Sequence, residues 1–108
     1  MEINESEVAL SRLFRALADP TRRGIVDLLA THPLSVLQIA TQFPVSIQAI
    51  AKHLVLLESA GLLTSSKVGR VRTYTLTPAV LDLAACWLFA QHTEEACSVR
   101  AREAPYAQ

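Results

Sequence analysis

This chain has no net charge. Its ten Lys and Arg are matched by ten Asp and Glu, so no overall field draws it towards a polyanion. It has two cysteines and no Cys-x-x-Cys spacing, which excludes a disulfide framework and a zinc ribbon. It has three glycines, none of them in a glycine-rich phosphate loop. The densest apolar run, Leu83 to Ala90, is too short to span a bilayer. The first residues mix acids and bases, without the charged and apolar regions of a secretory signal. There is no nucleophile–base constellation and no acid pair in an apolar setting. The expectation is a cytoplasmic, non-membrane protein with no enzymatic activity and no cofactor.

Position changes the meaning of the balanced charge. Residues 21–80 hold six bases (Arg22, Arg23, Lys52, Lys67, Arg70 and Arg72) against two acids (Asp27 and Glu58), a surplus of +4. The two ends together carry −4, and no acid occurs from Ser59 to Leu81. A basic centre between acidic ends suits a nucleic-acid face set apart from its dimerising ends. A chain of 108 residues makes one domain, and 51% hydrophobic content exceeds what one small core absorbs. The surplus points to a partner surface, most simply a second copy.

The chain is organised around Pro44 to Leu62. Ser46 is placed to cap a helix whose Ile50, Leu54 and Leu57 recur at i, i+4, i+7 and face a core. Gly61 is placed to close it in the left-handed conformation. The opposite face carries Gln48, Ala51, Lys52 and Val55, which are short or uncharged apart from one cation. Such a face suits close approach to a DNA groove. A shorter helix from Ser35 to Phe43 precedes it across Pro44-Val45, the connection of a helix-turn-helix over residues 35–61. Inside that shorter helix, Val36, Ile39 and Ala40 face inward.

Upstream, Asn4 with Glu7 is a capping-box pattern, with Ser6 as the alternative cap. Leu10, Leu13, Phe14 and Leu17 then make a helical stripe, with Ser11, Arg12 and Arg15 outside it. Asp19-Pro20 opens a second helix, with Ile25, Leu28 and Leu29 buried, that stops near His32. Gly24 inside it costs about 1 kcal/mol relative to Ala, so this helix must lean on tertiary packing. His32 is expected to act as a dipole partner at its end.

After Leu62 the period becomes alternating. Leu63–Val68 and Val71–Leu76 read as strands joined by Gly69-Arg70, a type II′ hairpin signal, with Tyr74 and Leu76 on the core face. Lys67, Arg70 and Arg72 crowd the tip of this hairpin (63–76), which suits phosphate or minor-groove contact; the alternative is edge protection. Thr77-Pro78 is expected to start a last helix running to about Arg100. Its stretch from Val80 to Ala90 is apolar on every side, so a second subunit must cover part of it. With the first helix it is predicted to build a two-fold dimer through Leu10, Phe14, Leu83, Trp87 and Leu88. Residues 103–108 read as a frayed tail.

Helix-turn-helix, hairpin and flanking helices together resemble the ArsR/SmtB type of winged helix-turn-helix regulator. The resemblance rests on Leu17-Ala18-Asp19-Pro20-Thr21-Arg22-Arg23, on Lys52-His53-Leu54 with Leu57 and Ala60-Gly61-Leu62, and on Gly69-Arg70 with Arg72, Tyr74 and Leu76. The block from Val45 to Leu54, with Trp87-Leu88, is most similar to the autorepressor-like branch that lacks metal sites. The fold implied is mainly α, about five helices with a two-stranded wing before the last. The function implied is sequence-specific DNA binding by a homodimer that represses its own or a neighbouring operon from a palindromic site. Ser46, Ile47, Gln48, Ala51 and Lys52 would then face the major groove, with Lys67, Arg70 and Arg72 reaching from the wing. Gln48 pairs well with adenine, and Ile47 and Ala51 with thymine methyls, so an A·T-rich half-site is expected. Ile47 stands where this branch often has Arg, and Ala51 where the family often has Ser.

No cysteine falls in Leu34–Ile39, where the family's metal box would lie. Asp82 with His92-x-x-Glu95 does not match the spacing of the family's other site, so no metal is expected. Cys86 and Cys97, about 16 Å apart along one helix, cannot bond within a chain. They leave open a thiol-responsive repressor that pairs them across a dimer, although Cys86 reads first as a buried structural residue. Trp87 reads as dimer core rather than a ligand-pocket wall, and His53 as a packing histidine rather than a phosphate donor. The remaining alternative is a winged-helix protein-interaction module that no longer reads DNA, favoured by the nearly uncharged face with Ile47 and Val55.

Overall fold

A computed structural model describes residues 4–92. Three of the expected caps hold their helices. Asn4 Oδ1 accepts from the Glu7 N–H at 2.8 Å and opens α1 (Glu5–Leu17). Asp19 accepts from the Arg22 N–H at 3.1 Å and opens α2 (Pro20–Leu29), with Pro20 in its first turn. Ser46 Oγ accepts from the Ala49 N–H at 3.1 Å and opens α4 (Ile47–Ser59). Each bond satisfies a donor that the first helical turn leaves unpaired.

The region between α2 and α4 departs from expectation. The second helix ends at Leu29, short of His32, because Thr31 turns its N–H and hydroxyl onto the Leu28 carbonyl. His32 therefore sits beyond the helix, with Nδ1 3.0 Å from the Thr31 hydroxyl. A two-residue strand β1 (Leu34–Ser35) comes next, then a short α3 (Val36–Ala40). The capping box of α3 is reciprocal: Ser35 and Gln38 each accept from the other's backbone N–H. The expected extension to Phe43 fails because Thr41 bonds back to the Gln38 carbonyl at 2.7 Å. Pro44 also disfavours the helical region for Phe43. The connection of the helix-turn-helix is accordingly longer than Pro44-Val45. Phe43 folds back instead, and a Cβ on Gly24 would stand 2.9 Å from its ring, which accounts for a glycine inside α2.

The wing follows the predicted register. β2 (Leu63–Val68) and β3 (Val71–Leu76) pair antiparallel with Val68 opposite Val71, and Gly69 takes φ +64°, as the first loop position of a type II′ turn requires. The sheet has three strands rather than two, in the order β1-β3-β2, since Leu34 pairs with Tyr74 and Ser35 with Thr73. The last helix, α5 (Ala79–Ala90), begins one residue later than Thr77-Pro78 implied. Pro78 is its N-cap without a side-chain cap, while the Thr77 N–H goes to the Leu62 carbonyl at 2.7 Å. Its described span ends at Ala90, with the Gln91 and His92 N–H groups on the Leu88 and Phe89 carbonyls. The expected path to Arg100, Cys97 and the 103–108 tail lie outside the described residues.

Leu13, Ile25, Ile39, Ile50, Leu54 and Leu57 form the centre of the core, all essentially without exposure. Leu28, expected there, is half-buried. The first helix packs on α2, α4 and α5, so it joins α4 to the last helix.

Candidate nucleic-acid interface

Core packing fixes which face of α4 remains free. With Ile50, Leu54 and Leu57 buried, the helical period turns Ile47, Gln48, Ala51, Lys52 and Val55 outward, and all five are exposed. Val55 is 65% exposed and Ile47 47%, values that suit a groove partner better than open water. No acid lies on this row. Ser46 uses its oxygen as the helix cap, which leaves its hydroxyl proton for an outside acceptor.

On the wing, Lys67, Arg70 and Arg72 are exposed, and Lys67 lies directly opposite Arg72. Arg72 also donates to Ser65 Oγ at 2.9 Å, so part of its guanidinium is engaged within the wing. Val68 and Val71, exposed at 78% and 54%, flank the Gly69-Arg70 turn and give the tip an apolar rim. Sequence reading missed that rim, though two valines beside an exposed turn were its signal.

Two cations of the basic centre do other work. Arg22 donates to the Ala16 carbonyl at 2.8 Å and to the Arg15 carbonyl at 3.1 Å, and meets His53 Nδ1 at 3.2 Å. A guanidinium has no acceptor, so Nδ1 receives that bond with its lone pair. Arg23 donates to the Leu17 carbonyl at 2.7 Å. These two side chains satisfy the carbonyl end of α1 and, through His53, hold α4 to it. Among the described residues, Lys52, Lys67 and Arg70 make no side-chain hydrogen bond, and Arg72 makes one, to Ser65.

The same junction predicts an acid response. Asp19 is held below its ordinary 3.8, first by the Arg22 N–H and then, against some desolvation, by the Arg22 charge. A depressed carboxylate contributes stability fully above its unfolded value and loses it as pH falls through the folded one. Asp19→Asn keeps the cap without titrating. As pH falls below about 4, the wild type should lose its advantage over Asp19→Asn on unfolding, and parallel curves would contradict this.

Four of the five expected dimer residues gather on one side, and Leu88 is not among them. Leu10, Phe14, Leu83, Cys86 and Trp87 line a groove of ≈ 710 Å³ between α1 and α5. Phe14 and Trp87 meet edge-to-face, with centroids 5.8 Å apart and planes at 71°. Trp87, Leu88 and Phe89 are 46%, 50% and 75% exposed. Cys86, read as buried, is exposed and free, because only the Ala84 side of α5 reaches the core. Among the described residues, no group of three or more His, Cys, Asp or Glu is placed to hold a metal. No helix among them is long and apolar enough to cross a membrane.

A helix-turn-helix with an outward, acid-free reading face and a cationic hairpin behind it defines a winged helix-turn-helix DNA-binding protein. Residues 17–66 match a helix-turn-helix domain family. The chain is 45% identical over 67 residues to the HTH-type transcriptional regulator Rv2034 of Mycobacterium tuberculosis, covering 62% of this chain but 63%, under two thirds, of that one. It is 33% identical over 79 residues to the transcriptional repressor SdpR of Bacillus subtilis, covering 73% of this chain and 88% of the repressor. An ArsR-like transcriptional regulator from Rhodococcus sp. RHA1 superposes with TM-score 0.74 at 36% identity, over 95% of this chain and 97% of that one. The chain belongs to the ArsR family of winged-helix transcriptional regulators. It is a DNA-binding transcriptional regulator, and these relatives favour that reading over the protein-interaction module and over the thiol-responsive alternative.

Proposed function

We propose that this regulator is a cytoplasmic homodimeric repressor, without enzymatic activity, that binds a palindromic A·T-rich operator at its own or a neighbouring operon. The observation that carries the proposal is the uncommitted row on α4, apolar and amide in character with a single cation. Gln48 reads adenine through its amide, and Ile47 and Ala51 pack on thymine methyls. Ser46 and Lys52 take the flanking phosphates. Lys67 and Arg70, with the remaining donors of Arg72, bind the backbone from the wing. The exposed apolar surface of α1 and α5 is the natural place for the second copy. Kinship with a named repressor supports the negative sign of regulation.

The test is binding of the purified protein to its own upstream duplex and to a scrambled one, by anisotropy at two salt concentrations. Gln48→Ala should weaken binding to the true site by about tenfold, leave the scrambled duplex unaffected and keep the salt slope. Lys67→Ala and Arg70→Ala should weaken both duplexes equally and each reduce the slope by about one. Wild-type protein that shows no preference between the duplexes would remove the operator reading.

A further inference from the structure

Glu58 stands in the last turn of α4, where its charge faces the negative end of the helix dipole and destabilises it. It is also the only acid between Asp27 and Asp82, and so the only negative group on the segment proposed to approach phosphate. Local and long-range electrostatics both disfavour an acid here. A contact chain offsets them. Ser65 Oγ, on β2, donates to Glu58 Oε2 at 3.1 Å. Arg72, on β3, donates to the same Ser65 oxygen at 2.9 Å. The polarity is consistent along the chain: the guanidinium gives to the hydroxyl, and the hydroxyl gives to the carboxylate. Ser65 pairs with Tyr74 and Lys67 with Arg72, so Ser65 and Arg72 lie diagonally on one face of the hairpin. Three elements are thereby joined, the reading helix and both wing strands, midway between the buried base at Leu63 and the exposed tip.

We infer that Glu58, acting through Ser65 on Arg72, is a positioning residue that sets the angle of the wing against the reading helix. Holding that angle in the free protein removes an ordering cost from binding, so the wing cations and the α4 side chains meet one duplex together. The inference rests on the DNA-binding reading of the same surface. It also carries a sign. Removing a negative charge beside DNA should by itself tighten binding, whereas removing a strut should loosen it.

Glu58→Ala, Ser65→Ala and Ser65→Thr in the full chain separate the two. Affinity for the upstream duplex is measured by anisotropy, and amide hydrogen exchange over Ser66 to Thr73 is followed in the free protein. Glu58→Ala and Ser65→Ala are each expected to weaken specific binding about three- to tenfold. Their combination should be no weaker than either alone, exchange in the wing should speed up, and the melting temperature should hold. Ser65→Thr keeps the hydroxyl on a strand-favouring residue and should restore binding and protection. Tighter binding by Glu58→Ala, additive losses in the double variant or unchanged exchange would overturn the strut. Failure of wild type to prefer its own upstream DNA would sink the operator reading instead, and the exchange rates would still decide whether the strut holds the wing.

Discussion

A Leu88→Glu chain is expected to sediment as a folded monomer and to lose operator affinity by about 100-fold or more. Leu88 is half exposed on α5 beside Trp87 and Phe89, outside the core cluster, so a carboxylate there costs the single chain little. At a two-fold interface the same patch meets itself. Each dimer would then bury two like charges against apolar surface, a cost far above what the patch can return. A monomer reads one half-site and forfeits the effective concentration that the second half-site supplies. Leu88 is a cleaner probe than Trp87, whose ring already packs on Phe14 within the protomer. Sedimentation equilibrium, with far-ultraviolet circular dichroism to check the fold, gives the answer. A dimer of unchanged strength would move the interface elsewhere on the molecule.

Where local chemistry sets the backbone, the sequence was sufficient. Asn4, Asp19 and Ser46 each place an oxygen three residues before an unpaired N–H, and Gly69 between two alternating runs defines both wing strands to the residue. The misses share a different cause. β1 is two residues long, too short for any period, and exists only because β3 passes beside it. The early end of α3 depends on a threonine back-bond and on a ring that packs against Gly24 in another helix. α5 is apolar on every side, so its pattern carries no phase, and nothing in it says that Cys86 faces out while Ala84 faces in. Counting charge treated Arg22 and Arg23 as parts of a field, yet carbonyls at the end of α1 claim both. The exposed face of α4 was legible because a helix with three known core positions has one free side. The Glu58–Ser65–Arg72 chain was not, since it needs helix phase and strand register at once.

Arg22 provides the second large effect. Arg22→Ala should destabilise the fold by about 1.5–3 kcal/mol, because it removes the guanidinium from the Ala16 carbonyl and from His53 in one step, while the Arg15 carbonyl keeps the Ala18 N–H. For a domain of this size, that lowers the melting temperature by about 10 °C or more. His53→Ala removes only the second of these contacts, and the guanidinium it leaves stays bonded to two carbonyls, so its cost should be clearly smaller. Arg22→Lys should recover little, since a single ammonium cannot reproduce a planar fork spread over three acceptors. The three variants, compared by chemical denaturation, distinguish a clamp from a surface charge. If Arg22→Ala falls within about 0.5 kcal/mol of wild type, Arg22 behaves as an ordinary exposed cation. It then returns to the pool of groups available for phosphate. If the loss is large, α4 owes its place partly to the end of α1. Because α1 also packs on α5, the helix proposed to read DNA is then tied through one arginine to the surface proposed to hold the second copy.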